Sequence, residues 1–208
     1  MTSRATTGSP KRSRRSRPPP SAAAVVLAAF AEVVRPRGLR WYLFGAQAVA
    51  VYGVLRTSAD VDVTLELPAG DLRAFVKEMK LAGFAVRVPD VADFVASTRT
   101  LPFLHKASSF PLDVVLAGPG LEEAFLDAVR ELRFEGVSVP VLAAEDLIVT
   151  KILAGRPKDL EDVRRLLVQP GVKPDLGRAR RLLGALDDAL GQNELLRCLD
   201  TLARKRSR

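Results

Sequence analysis

Cysteine and histidine are almost absent from this sequence, which has one of each, Cys198 and His105. A lone cysteine excludes an intrachain disulfide and any zinc site built on several thiolates, and Cys198 reads as a packed residue of a C-terminal helix. A lone histidine excludes HExxH metalloproteases and His-rich metal sites. It leaves open a serine or cysteine nucleophile assisted by His105, but no serine stands in a GxSxG turn. Aromatics are sparse as well, and Trp41, Tyr42 and Tyr52 read as packing residues. Long apolar runs are missing: nothing approaches the roughly 18 apolar residues of a membrane helix. The stretch RSRRSRPPP followed by SAAAVVLAAFA imitates a secretory leader. Three prolines interrupt its junction, however, and Glu32 soon follows the short apolar run, so it reads as the first helix of a cytoplasmic protein.

Basic charge is abundant but uneven. Of a net +8, six basic side chains and no acid lie in residues 1–20, and residues 204–208 add four more, which leaves the body near −2. The basic excess therefore belongs to two tails. Such tails read as solvated, unstructured segments or as sequence-independent phosphate contacts. The 208 residues, 48% hydrophobic and 27% charged, suffice for one buried core and a small helical appendage. The expected division is a basic arm at 1–20, an α/β domain at 21–142, a helical region at 143–203 and a basic tail at 204–208.

The patterns that are present place a helix over 22–34, capped by Ser21, with Val25, Leu27 and Phe30 inward. An apolar strand is expected over 39–44, a helix of small residues over 46–52, and a strand over 59–67. In that strand Val61, Val63 and Leu65 alternate with Asp60, Asp62, Thr64 and Glu66. An amphipathic helix follows over 70–81, with Leu72, Phe75, Val76 and Met79 on one side, then a short strand over 84–88 and a weak helical turn over 91–97. Strands over 99–104 and 112–116 flank a turn at 105–109. A helix over 121–132 precedes a strand over 137–142, which Pro140 assigns to a sheet edge. Helices over 144–154, 157–167, 176–190 and 193–203 complete the chain, with Gly155 and Pro157 at the junction that brackets Arg156.

Chemistry concentrates between Tyr42 and Glu66. Asp60 and Asp62 alternate on one strand and so project to one face about 6.6 Å apart. Two carboxylates so placed can share divalent cations, as in phosphoryl and nucleotidyl transfer, where a metal pair roughly 3.5–4 Å apart stabilises attacking and leaving oxygens. Solvent-face residues of an edge strand would read the same way. Asp113 interrupts the apolar run PLDVVLAG, a costly position unless the carboxylate is paired, hydrogen-bonded or metal-bound. It could equally neutralise a buried arginine. Arg56, Thr57 and Ser58 form a polar turn that suits phosphate contact or simple turn formation. Lys151, Arg156, Asp159 and Asp162 form either a basic wall or an ordinary ion-pair network near a helix start.

Taken in order, these elements resemble the nucleotidyltransferase superfamily, and within it the AbiEii-like toxin branch. The resemblance rests on Gly45-Ala46 at a strand-helix turn, Asp60-Val61-Asp62 on the next strand, Leu112-Asp113-Val114 on a later one, and Lys151 followed by Arg156-Pro157-Lys158-Asp159. It covers roughly residues 22–168. It implies a mixed β-sheet flanked by helices, followed by a C-terminal helical region. It implies Asp60, Asp62 and Asp113 as catalytic metal ligands for Mg²⁺ or Mn²⁺, with Asp113 also able to accept a proton. Gly45, Ala46, Arg56, Thr57, Lys151, Arg156 and Asp159 would bind a nucleoside triphosphate. Ala46 stands where the family commonly has a second Gly or Ser and supplies no hydroxyl, so phosphate would be held by backbone N–H groups. The implied activity transfers a nucleoside monophosphate to a hydroxyl of RNA, above all a tRNA end, with an antitoxin protein as partner. A small-molecule or protein acceptor is the alternative, and a catalytically silent nucleotide- or RNA-binding module is another.

Overall fold

The computed structural model describes residues 19–204; the arm over 1–18 and the tail over 205–208 lie outside the described residues. Ser21 caps the first helix as expected, its hydroxyl accepting from the Ala24 N–H at 3.2 Å. This helix, α1 (Ala22–Val34), buries Val26, Leu27, Phe30 and Val34. Val25 is half-buried rather than inward, because the 3.6-residue period that aligns Leu27, Phe30 and Val34 selects Val26 instead.

The elements that follow are β1 (Trp41–Phe44), α2 (Gly45–Val51), β2 (Val61–Leu65), α3 (Leu72–Leu81), β3 (Phe84–Val86), α4 (Val91–Thr98), β4 (Thr100–His105) and β5 (Phe110–Leu116). After them come α5 (Leu121–Leu126), β6 (Arg130–Phe134), β7 (Val137–Val141), α6 (Ala144–Ala154), α7 (Pro157–Val168), α8 (Leu176–Leu190) and α9 (Glu194–Arg204). One mixed seven-stranded sheet runs in the order β3-β4-β5-β2-β1-β7-β6. Strands β2 and β5 pair in parallel at its centre, as do β1 and β7; the remaining pairs are antiparallel. The fold is thus the mixed α/β architecture with flanking helices that the sequence implies.

Two expectations fail on the same hairpin. The helix expected over 121–132 stops at Leu126, and residues 130–134 form β6 instead. Arg-Glu-Leu-Arg-Phe alternates with a strand's period, and Glu135 (φ 49°) and Gly136 (φ 97°) make a two-residue turn with both residues at positive φ, the geometry that matches strand twist. Consequently β7 is not the edge. β6 covers it, while its pairing with β1 is confined to Leu43 opposite Val141, so Pro140 removes no hydrogen bond to β1.

Smaller shifts matter for the site. β1 begins at Trp41 rather than Leu39, and α2 begins at Gly45 rather than Ala46. β2 is shorter than 59–67, which puts Asp60 in the bend just before the strand. The weak segment at 91–97 is the full helix α4, capped by the Asp90 side chain and ended by Arg99 at φ 54°. In β2, Val61, Val63 and Leu65 are fully buried, each worth about 1.5–3 kcal/mol relative to exposure. Thr64, on the opposite face, is buried too, while Glu66 pairs with Arg40.

Helix α1 packs on β2, β5 and β7, whereas α2 packs on β1, β2 and α6. The helices α6 to α9 pack on one another and share a single apolar core with the sheet, running from Phe30 and Val63 to Leu147, Leu166 and Leu202. Cys198 is half-buried on α9, and Trp41 and Tyr42 are core residues, with Trp41 edge-on to Phe30 at 5.1 Å between ring centres. His105 is buried and hydrogen-bonded through Nδ1 to Ser108 Oγ at 2.9 Å, within its own hairpin. Among the described residues no helix is long and apolar enough to cross a membrane.

Candidate active site

One row of residues across the sheet builds the site. Phe44 stands opposite Asp62 in the β1/β2 pair, Asp62 opposite Asp113 in the β2/β5 pair, and Asp113 opposite Pro102 in the β5/β4 pair. Residues opposite one another across paired strands share a face, so the register itself puts Asp62 beside Asp113. Asp60 joins them from the bend. The Ser58 hydroxyl donates to its Oδ1 at 2.7 Å, and Gln47 on α2 donates to its backbone oxygen at 3.4 Å. One oxygen from each of Asp60, Asp62 and Asp113 lies within 4.8 Å of the others.

Gly45 follows Phe44 directly and turns the chain from strand into helix at φ +68°, a region that disfavours side chains. A Cβ there would overlap the Asp62 carboxylate. The turn therefore requires glycine for two independent reasons, its own backbone and its neighbour's side chain.

Opposite the acids stands a basic wall at the start of α7. Lys151 is buried, with Nζ 2.8 Å from Asp159 Oδ1 and 2.9 Å from Asp162 Oδ2. Arg56 pairs with Asp162 at 2.7 Å, and Arg156 with Asp159 at 2.5 Å. Burial alone would raise the Asp159 carboxyl, but hydrogen bonds from Arg156 and Lys151 outweigh it and hold the group below the ordinary range. The ion-pair reading of these residues and the cleft-lining reading are thus both realised. Gly45, Ala46, Arg56, Thr57, Ser58, Ala59, Asp60, Asp62, Lys151, Arg156, Lys158 and Asp159 line one cleft of about 310 Å³.

Asp113 lies beside Asp62 but outside that lining, and its Oδ1 also accepts from the Arg87 guanidinium. It is an arginine's partner and a member of the carboxylate cluster at once, and the arginine is part-exposed rather than buried. Burial, together with the charges of Asp60 and Asp113, pushes Asp62 up to about 6, with Lys151 and Arg156 opposing. The centre is short of positive charge where the three carboxylates meet.

Sequence reasoning quoted Lys158 within the motif without giving it a role, and it overlooked Arg87. Lys158 lines the cleft, and among the described residues it has no carboxylate within 4.0 Å. Its place beside Pro157 on the first turn of α7, next to Asp159, was the available signal. Arg87 follows a three-residue strand, and no local pattern marks it.

The family model described as "Nucleotidyltransferase of unknown function (DUF6036)" matches residues 25–176. The chain belongs to that family. The matched span contains the three carboxylates, the glycine turn and the Lys151–Asp162 network of this nucleotidyltransferase. No curated protein sequence matches it. Among solved structures, the fold is similar to ANT(2")-Ia in complex with adenylyl-2"-tobramycin, with a TM-score of 0.52 and 17% identity over 90% of this chain and 100% of that one. Weaker similarities include JHP933 from Helicobacter pylori (TM-score 0.45, 14% identity, 91% of this chain and 95% of that one). Another is a nucleotidyltransferase-like protein from Paracoccidioides brasiliensis (TM-score 0.48, 15% identity, 84% and 91%).

Proposed function

We propose that this nucleotidyltransferase moves a nucleoside monophosphate from a nucleoside triphosphate to a hydroxyl acceptor in a metal-dependent reaction that releases pyrophosphate. The observation that carries this reading is the convergence of Asp60, Asp62 and Asp113 within 4.8 Å beside a cleft whose far wall is basic. An all-carboxylate donor set suits Mg²⁺ or Mn²⁺, and the elevated Asp62 carboxyl is what a site awaiting positive charge should show. Asp60, Asp62 and Asp113 would hold the cations, which supply charge stabilisation for the phosphates.

The chain's own residues do the rest. Gly45 and Ala46 let the phosphates approach the backbone, and Arg56, Thr57 and Arg156 line their path. Lys151 and Asp159 fix the junction that presents Arg156 and Lys158 to the cleft. Asp113 would also receive the proton of the attacking hydroxyl. Lys158, with no acidic partner among the described residues, is the cation most available to a terminal phosphate. Lys158→Ala is expected to raise the nucleotide KM about 10- to 100-fold, in line with the roughly 1.5–3 kcal/mol of a hydrogen bond to a charged group at 1.36 kcal/mol per decade. Its melting temperature should not move; an unchanged KM assigns Lys158 to solvent.

For the acceptor, the ten basic side chains at the two termini favour RNA, a tRNA end above all, in the manner of an AbiEii-like toxin that an antitoxin would restrain in the cytoplasm. A second reading, a small hydroxyl-bearing molecule, is favoured by the near-neutral body and by the fold shared with the structure that holds adenylyl-2"-tobramycin. Incubation with each labelled triphosphate, Mg²⁺ and total RNA is expected to label RNA, and Asp60→Ala to abolish the label. Labelled aminoglycoside with unlabelled RNA would select the second reading. No transfer to either, together with Mg²⁺-independent nucleotide binding, would make the chain a silent binding module.

A further inference from the structure

Arg87 meets Asp113 in a part-exposed ion pair. Its guanidinium reaches Asp113 from two strands away, across β4, a span of about 9.6 Å at ordinary strand spacing. Two further bonds fix it. The Arg87 N–H donates to the Pro102 carbonyl at 2.9 Å, and its Nε donates to the Phe103 carbonyl at 3.1 Å. Arg87 thereby extends the row Phe44, Asp62, Asp113 and Pro102 by one place, and the buried Pro102 lies beneath the pair it spans. The Arg87 and Asp113 side chains are 37% and 30% exposed, a setting in which ion pairs contribute little to stability. The guanidinium is nevertheless tied to a β4 main-chain carbonyl as well as to the carboxylate.

Resting on the metal-dependent reading above, we propose that Arg87 is a positioning residue that takes one oxygen of Asp113 and thereby aims the other at the cation shared with Asp60 and Asp62. A carboxylate has two oxygens and about four acceptor sites, so a guanidinium on Oδ1 leaves Oδ2 available. Outer partners of this kind restrict a ligating carboxylate to one orientation, and their removal typically weakens metal affinity. The backbone anchors decide between this role and that of a cation that competes for Asp113. A guanidinium held at Nε and at its own main chain is prevented from swinging away when an ion arrives, so the pair persists.

The test is Mn²⁺ binding to the full-length chain, followed by the paramagnetic resonance signal of the free ion, with nucleotidyl transfer measured over the same Mn²⁺ range. Arg87→Met is expected to weaken Mn²⁺ binding about 10- to 100-fold and to lose turnover that excess Mn²⁺ restores, while the melting temperature without ion stays near that of the wild type. Arg87→Lys keeps the charge but cannot make both side-chain bonds, so it should recover part of the affinity. Asp113→Asn should lose the same affinity, and the double variant should bind no more weakly than Asp113→Asn alone, since both changes act through one carboxylate. Additive losses, or an Arg87→Met affinity equal to or tighter than that of the wild type, overturn the proposal while leaving the metal reading intact. A wild-type chain that binds no Mn²⁺ overturns both.

Discussion

Replacing Asp62 by asparagine is expected to abolish nucleotidyl transfer and, in the same preparation, to raise the melting temperature. The first effect follows from removing the central carboxylate of the cluster. Charge stabilisation by a bound metal is worth several kcal/mol of barrier, and each 1.36 kcal/mol is tenfold, so a loss of about 10³-fold or more is expected. The second follows from Asp62 itself, pushed up from 3.8 to about 6 by burial and by Asp60 and Asp113. A carboxyl whose folded value exceeds its unfolded value opposes folding once it is ionised. At 1.36 kcal/mol per pH unit, and discounting for solvent at a cleft, that opposition is on the order of 1–2 kcal/mol at neutral pH. Asparagine removes it. The stability that wild type has with Asp62 protonated is lost as pH rises through about 6, so the variant's advantage should be full above that value and vanish toward pH 4. Millimolar Mg²⁺ should narrow the gap by stabilising only the wild type. An asparagine variant that melts lower at pH 7.5 without metal, or that keeps a tenth of the activity, contradicts this account.

The same residues show what the sequence could and could not disclose. Val61, Val63 and Leu65 alternating with Asp60 and Asp62 disclosed the strand, and Gly45 disclosed the turn, because strand period and positive φ are local properties. The pairing of Asp62 with Asp113 is different. The two residues are far apart in sequence and meet through a parallel register that forms only after α3, β3, α4 and β4 have been traversed. Family resemblance brought them together, whereas local pattern could not. The hairpin of β6 and β7 was legible but misread: Phe125, Val129 and Leu132 look like one helical stripe until the Glu135-Gly136 turn is given its weight. Arg87 was invisible, since its meaning lies two strands away at Asp113. Lys151 was seen, but not that it would be buried between two aspartates.

That burial makes Lys151→Met the most damaging single change expected for stability. Its ammonium is the cation that Asp159 and Asp162 share, and both acids are almost wholly removed from solvent. Removing one partner of a buried pair costs about 3–5 kcal/mol, and here two buried acids would be left with one arginine apiece, Arg56 on Asp162 and Arg156 on Asp159. For a chain of this size the melting temperature should fall by about 6–20 °C. The pH dependence separates this cause from a packing defect. In the wild type the hydrogen bonds from Arg156 and Lys151 overcome burial and hold Asp159 low, a contribution present above its unfolded value and lost as pH falls. In the variant Asp159 keeps Arg156 but loses the Lys151 hydrogen bond, so burial is less opposed and its carboxyl shifts upward. The gap between variant and wild type should therefore narrow as pH falls toward 4, whereas a cavity left by a methylene chain would cost the same at every pH. Lys158→Ala, seven residues on and in the same cleft, supplies the contrast, since it removes a cation that holds no acid in place. If Lys151→Met melts with the wild type and only the nucleotide KM changes, the lysine serves the ligand and not the junction.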